Sequence, residues 1–373
     1  MTIRRVDIAV VGGGLVGAAI AFGLRSLGAR LAMLDEGDIA FRASRGNFGL
    51  IWVQGKGFGL PAYGAWTQRS ARAWPRLAAM LQETTGFDVA LRQDGGLHVC
   101  LTSRELDTRV QRMSALLAQP GFEHYDVEVL DHAGVAARLP GTGPGVVGGT
   151  WSSLDGDCNP LRLLRALHTA SEQAGNVCLS GVTIDRIEPR AAGFVLHSSH
   201  GNIECERLVL AAGLGNARLA PMVGLSAPVT PNKGHIIVLE RVLPFLSMPL
   251  ETIRQTDEGT VMIGDAQQDC GFDDTLDPAV LAAMAARAVR VFPQLRDVRV
   301  NRTWAALRVM SPDGFPIYAQ SATHPGAFLA TCHSGVTLAA AHAFDLASAI
   351  GNGRLPASLD PFSHQRFDVR AAA

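Results

Sequence analysis

Three glycines and an aspartate near the start of the chain carry the first chemical signal. Gly12, Gly14 and Gly17 are spaced Gly-x-Gly-x-x-Gly, with Gly13 inside the pattern and Asp35 eighteen residues beyond Gly17. The chemistry they suit is the grip on a dinucleotide. Gly12 permits a tight turn, Gly14 lets backbone approach a pyrophosphate, and Gly17 lets a helix press on a strand. A carboxylate at the end of the following strand can accept hydrogen bonds from a ribose. The pattern means little without its context, and the context is present. Residues 7–11 read as a buried strand, 15–27 as a helix aimed N-terminus first at the phosphates, and 30–34 as the second strand, with Gly28 closing the helix.

Further along, other segments would serve the same site. Residues 41–60 form a loop rich in Gly, Ser and Asn, which supplies N–H donors and tight turns; Phe48, Ile51 and Trp52 in it read as buried. A strand at 208–212 ends in the small-residue turn Gly213-Leu214-Gly215-Asn216. The chain closes with a strand at 328–331, the turn Cys332-His333-Ser334-Gly335, and an apolar helix over 336–350. A helix beginning at Gly335-Val336-Thr337 would carry partial positive charge at its N-terminus.

Between these pieces the apolar periodicity predicts helices over 64–84, 103–119, 160–174 and 277–292, and strands over 95–101, 177–179, 182–187, 194–197, 203–205, 228–240 and 260–264. His98 reads as a packed strand histidine. At 373 residues the chain has room for two domains, and 47% hydrophobic with 18% charged residues suits a well-packed α/β protein. A net charge of −1 gives no electrostatic case for nucleic acid or an anionic membrane. The six cysteines are scattered without a CxxC pair, so neither a zinc nor an iron–sulfur site is expected, and a reduced, cytoplasmic setting is the simplest reading. No window gives eighteen apolar residues without charge, so no transmembrane helix is expected. Nearly all basic residues are Arg; the only lysines are Lys56 and Lys233.

These pieces, in this order, resemble the FAD-dependent D-amino-acid oxidase family, which includes glycine and sarcosine oxidases. The resemblance rests on the Gly12–Gly17 fingerprint with Asp35, the Ser44-Arg45-Gly46-Asn47 loop, the 176–205 block ending in Leu208-Val209-Leu210-Ala211-Ala212-Gly213, the segment Ala306-Leu307-Arg308-Val309-Met310-Ser311-Pro312-Asp313-Gly314, and Ala330-Thr331-Cys332-His333-Ser334-Gly335. Within the family, residues 43–57 look most like the catalytic flavin subunits of opine oxidases and D-hydroxyproline dehydrogenases. The resemblance implies an α/β fold: a Rossmann-like FAD-binding domain from discontinuous segments (1–85, 145–220 and 301–373) plus a β-sheet-rich α+β substrate domain (86–144 and 221–300).

It also implies the site. Gly12, Gly13, Gly14 and Gly17 would meet the pyrophosphate of FAD and Asp35 its ribose. Ser44, Arg45, Asn47, Gly49 and Leu50 would lie along the phosphates, ribityl chain and ring, Val182 at the adenine, Gly213 beside the cofactor, and Gly335, Val336 and Thr337 at the flavin edge that becomes anionic on reduction. Arg308 matches the arginine that grips the substrate carboxylate, a task its planar fork suits. Val309 stands where many relatives have Pro. His333 would either tune protonation or be an ordinary turn histidine. Lys56 or Lys233 would stand near the flavin and promote reaction with oxygen. The implied reaction is hydride transfer from Cα of a secondary or D-configured amino acid to flavin N5, giving an imine. With no cysteine between Cys270 and Cys332, FAD would be non-covalent. Electrons would pass to partner subunits carrying further redox centres, leaving the enzyme cytoplasmic or peripheral to a membrane through them. The competing expectations are a self-sufficient oxidase producing hydrogen peroxide and a non-catalytic flavin-holding scaffold subunit.

Overall fold

A computed structural model describes residues 5–37, 42–122, 125–264 and 266–372; of the loop expected over 41–60, Phe41 lies outside the described residues. The centre is an eight-stranded sheet. Strand Arg5–Val11 pairs in parallel with Leu31–Asp35 on one side and Gly201–Leu210 on the other. Val177–Ser180 and Ala327–Thr331 extend these parallel strands outward, and Ile317–Gln320 adds an antiparallel edge. The hairpin Ile184–Arg190 and Gly193–Ser198 hangs from the first half of Gly201–Leu210. That ten-residue strand fuses the two short strands expected at 203–205 and 208–212.

Helix Leu15–Leu24 lies against this sheet with Ala18, Ala19, Ile20, Ala21 and Phe22 wholly buried. Its small residues let it pack on every side. Helix Pro160–Gln173 covers one flank, and the C-terminal helical stretch Ala339–Gly351 another. Helix Pro61–Thr85 lies against both of these flanking elements, spanning the residues expected at 64–84. One expectation is corrected here. The closing helix starts at Ala339, not at Val336. Residues 335–338 form a turn, and two of its carbonyls take side-chain donors from helix Pro61–Thr85. Trp74 Nε1 donates to the Val336 and Thr337 carbonyls, and Ser70 Oγ donates to Thr337 O.

A second, four-stranded antiparallel sheet runs Ile253–Gln255, Thr260–Ile263, Thr230–Arg241, Val300–Met310. Its last strand pairs with Thr230–Arg241 from Thr230↔Met310 to Leu239↔Val300. Strands Gly96–Cys100, Gly148–Ser152 and Glu128–Asp131 form a third sheet, linked to the second through Leu97 and Leu250. Helix Pro278–Val291 closes the apolar core that these two sheets share. The two-stranded ribbon of Leu50–Ile51 with Gly156–Asp157 ties the Gly-rich loop to this half of the molecule.

Candidate active site

The glycine fingerprint is a close-packed backbone crossing. Gly12 has φ +109°, and a side chain on it would strike the Ala211 carbonyl. A Cβ on Gly17 would stand 1.9 Å from the Gly12 carbonyl oxygen, so strand and helix touch through backbone alone. Asp35 holds this turn in place. Its Oδ2 accepts from Gly13 N–H at 2.7 Å and its Oδ1 from Gly37 N–H at 2.8 Å. Val182 N–H donates to the Asp35 carbonyl, which sets Val182 beside the ends of both strands. Ser44 Oγ accepts from the Leu15 N–H at the helix start (2.9 Å).

The loop after Ser44 rests on the second sheet. Arg42 bridges Leu307, and Gly46 packs on Ala306 while its carbonyl accepts from Trp304 Nε1 at 3.2 Å. Asn47 Oδ1 accepts from Gly49 N–H, forming an Asx turn that leads into Leu50–Ile51. Arg45 is exposed. Gly213 begins the turn after strand Gly201–Leu210, 3.4 Å from Val309 were it to carry a Cβ.

A cavity of about 240 Å³ opens where the two sheets meet. Asn47, Leu50, His333, Gly335, Val336 and Thr337 line it, together with Arg308 and Lys56. The turn 335–337 offers backbone to this cavity. Among the described residues, the N–H groups of Gly335, Val336 and Thr337 have no protein acceptor, although Val336 and Thr337 are buried. Thr337 Oγ1 meanwhile accepts from Trp52 N–H at 3.1 Å, locking the turn to the Gly-rich loop. Buried N–H groups without acceptors are rare and point to a ligand. They fit the carbonyl-bearing edge of a flavin, and the glycine crossing fits a dinucleotide. Gly14, Gly335, Val336 and Thr337 would hold FAD through backbone, with no charge required.

Arg308 enters from strand Val300–Met310. Its Nη1 donates to Asn232 Oδ1 (3.0 Å) and to the Ala266 carbonyl (2.6 Å). Asn232 is its cross-strand partner. Gly234, next on the same face, makes room: a Cβ there would lie 2.5 Å from the guanidinium. His333 is held neutral, its ring pushed down to about 3 by burial and then by the charges of Lys56 and Arg308.

The two lysines part company. Lys56 lines the cavity, its Nζ donating to Ser334 Oγ at 3.1 Å; the same hydroxyl meets Tyr63 OH at 2.9 Å. Lys233 does not line it. Its side chain leaves the face opposite to Asn232 and Gly234 and pairs with Asp273 Oδ2 at 2.7 Å. The catalytic expectation for Lys233 thus gives way to a strand-to-loop tie.

Sequence reasoning missed Asn232, Gly234 and Glu251. A glycine inside a buried strand pattern was a signal for close approach at Gly234. Glu251 gave none. It lines the cavity and pairs with His98, which sits part-buried in strand Gly96–Cys100. Burial alone would raise the Glu251 carboxyl; the His98 hydrogen bond, helped by Arg109 and Lys56, overrides it and brings it down to about 2.

Comparison with known proteins agrees with this architecture. Residues 7–349 match the family described as DAO, FAD dependent oxidoreductase. An opine oxidase subunit from Agrobacterium tumefaciens (strain Ach5) is 44% identical over 367 residues, spanning 98% of this chain and 99% of that protein. The corresponding opine oxidase subunit from Rhizobium meliloti is 44% identical over 370 residues, with 98% and 99% covered. The crystal structure of glycine oxidase from Geobacillus kaustophilus superposes with a TM-score of 0.87 at 26% identity, covering 96% of this chain and 98% of that one.

Proposed function

The chain belongs to the DAO family of FAD-dependent oxidoreductases, and on that premise we propose that it oxidises a secondary or D-configured amino acid, of the opine or D-hydroxyproline class, to an imine. Bound FAD, held without a covalent link, supplies the two-electron acceptor. The chain supplies position. Arg308 holds the substrate carboxylate, and Asn232 and the Ala266 carbonyl fix the guanidinium so that the Cα–H is presented at one angle. The turn at Gly335–Thr337 offers three N–H donors where negative charge develops. No side chain need act as base if the amine binds uncharged, and neutral His333 is consistent with that. The imine then hydrolyses in water.

The observation that carries this reading is Arg308 on one wall of a cavity whose other wall is the 335–337 turn. Likeness to proteins named as oxidase subunits supports assembly with partner subunits, to which the electrons would pass. No helix among the described residues is long and apolar enough to cross a membrane. The test is anaerobic bleaching of the bound flavin by D- and L-amino acids, opines and hydroxyproline isomers. Bleaching by none of them overturns the proposal. Hydrogen peroxide from the isolated chain at its full turnover rate would instead favour a self-sufficient oxidase.

A further inference from the structure

We infer that Asp155 is a positioning residue for the flavin: from outside the cavity it fixes segment 52–56, which grips the turn at the flavin edge from two sides. The inference rests on the reading of the 335–337 turn as the place where that edge lies. Segment 52–56 touches the closing turn at each of its ends. At one end Trp52 N–H donates to Thr337 Oγ1 (3.1 Å). At the other, Lys56 Nζ donates to Ser334 Oγ (3.1 Å), and Lys56 N–H closes a turn on the Val53 carbonyl (3.0 Å). Between these ends the backbone N–H groups of Val53 and Gln54 both donate to Asp155 Oδ1, at 2.5 and 3.3 Å. One carboxyl oxygen thus holds the middle of a segment whose ends hold Thr337 and Ser334.

Asp155 reaches this position from another part of the fold. It stands in the turn between strands Gly148–Ser152 and Gly156–Asp157, is wholly buried, and does not line the cavity. Burying a carboxyl group is costly. What it supplies here is an acceptor for two N–H groups that would otherwise be buried without one. Gln54 is fixed by its side chain as well: Oε1 accepts from Arg109 Nη2 (3.0 Å) and Thr150 Oγ1 (2.6 Å), and Nε2 donates to the Gly96 carbonyl (3.0 Å). Asp155 therefore acts on the flavin only through a segment that is itself tightly held. Among the described residues, the ionisable groups that face it are the Arg109 guanidinium, from helix Ser103–Leu117, and the Tyr125 phenol. Burial pushes Asp155 up to about 7, against the N–H groups of Val53 and Gln54 and the Arg109 charge, which favour its carboxylate. As a carboxylate it makes charge-assisted bonds to the segment, and as an acid weaker ones. The grip on the turn tightens as pH rises through neutrality.

The test uses the full chain titrated with FAD. Affinity is read from the quenching of FAD fluorescence, and the surroundings of the ring from its visible spectrum. Neither readout needs a substrate, so failure of this inference and failure of amino-acid oxidation are told apart. Asp155→Ala should bind FAD about 10-fold more weakly, the worth of one hydrogen bond to a charged group, and shift the spectrum. Asp155→Asn keeps the Oδ1 acceptor and should restore the affinity and spectrum that wild type shows at a pH of about 6. Between a pH of about 6 and about 8 wild type should gain FAD affinity, while Asp155→Asn should stay level. Wild-type affinity and spectrum in Asp155→Ala overturn the inference. So do parallel pH profiles for wild type and Asp155→Asn, a comparison that stands even if Asp155→Ala does not fold.

Discussion

The two parts of the candidate site, the glycine crossing with the 335–337 turn and the side-chain wall of the cavity, are built from different materials. At the nucleotide end, backbone meets backbone: Gly17 against the Gly12 carbonyl, Gly12 against Ala211, and a turn at 335–337 that presents bare N–H groups. The side chains there, Asp35 and Ser44, are already engaged with the N–H groups of Gly13, Gly37 and Leu15. At the substrate end the wall is charge on side chains: Arg308, Lys56 and Glu251. The contrast teaches what each end can tolerate. The first should fail when volume is added and ignore most changes of charge. The second should keep its fold when side chains are exchanged and lose chemistry when charge is removed.

The largest expected effect tests the first half of that contrast. Gly17→Val would force a branched side chain into the Gly12 carbonyl, where both sides of the contact are backbone. We expect a loss of about 3 kcal/mol or more, with colourless protein and a Tm lowered by many degrees. A yellow protein of wild-type Tm would show that the crossing is looser than its contacts imply. Next in size is Arg308→Ala. It should lower kcat/KM roughly 10²–10³-fold through lost carboxylate binding and orientation, while flavin content and Tm stay near wild type. Unchanged turnover in the complete enzyme would point to a scaffold role.

The third effect lies behind the Lys56 loop. Burial pushes the Asp155 carboxyl up to about 7, against the N–H donors of Val53 and Gln54 that favour its ionised form. The folded protein therefore holds a proton that the unfolded chain releases above a pH of about 4. Its stability contribution falls as pH rises from there to about 7 and is level beyond. Asp155→Asn keeps the Oδ1 acceptor and replaces Oδ2, which has no partner. The variant should melt several degrees above wild type at pH 8, with the gap closing as the pH is lowered toward 4. A gap independent of pH would place the ionisation elsewhere.

The same contrast explains what the sequence made legible. The nucleotide end could be read because its geometry is local: strand, turn and helix follow within one stretch, and the glycines mark close approach directly. The closing turn was found, but the start of its helix was misplaced by three residues. Trp74 and Ser70, which take the carbonyls that a helix would have used, lie more than 250 residues away in sequence. At the substrate end Arg308 was identified by resemblance alone, since nothing in its spacing distinguishes it. Glu251 and Asn232 are invisible because sheet register, not sequence distance, brings them to the cavity. The choice between Lys56 and Lys233 was open for the same reason.

That choice gives the smallest predicted effect and the sharpest control. Lys233 and Lys56 are the only lysines of the chain, and the ammonium of Lys233 is held by the Asp273 carboxylate whereas that of Lys56 donates to the Ser334 hydroxyl. Lys233 lies on the face of its strand that carries His235, whose Nε2 accepts from Asp277 N–H; Asp273 and Asp277 belong to the same connecting segment. Lys233→Met should therefore loosen that segment and reach the cavity only through His235, which lines it. The rate of flavin bleaching by substrate should stay within about twofold of wild type, the range of a distant, uncoupled site. Lys233 holds the Asp273 carboxyl well below the usual carboxylate range. The pair's stabilising contribution is thus present above a pH of about 4 and lost as pH falls through the depressed value. Because Asp273 is largely exposed, solvent screens the pair, and the Tm difference at pH 7 should be small. If Lys233→Met slowed flavin bleaching as strongly as Arg308→Ala, Lys233 would act on the substrate itself, and the division drawn between the two faces of this strand would fail.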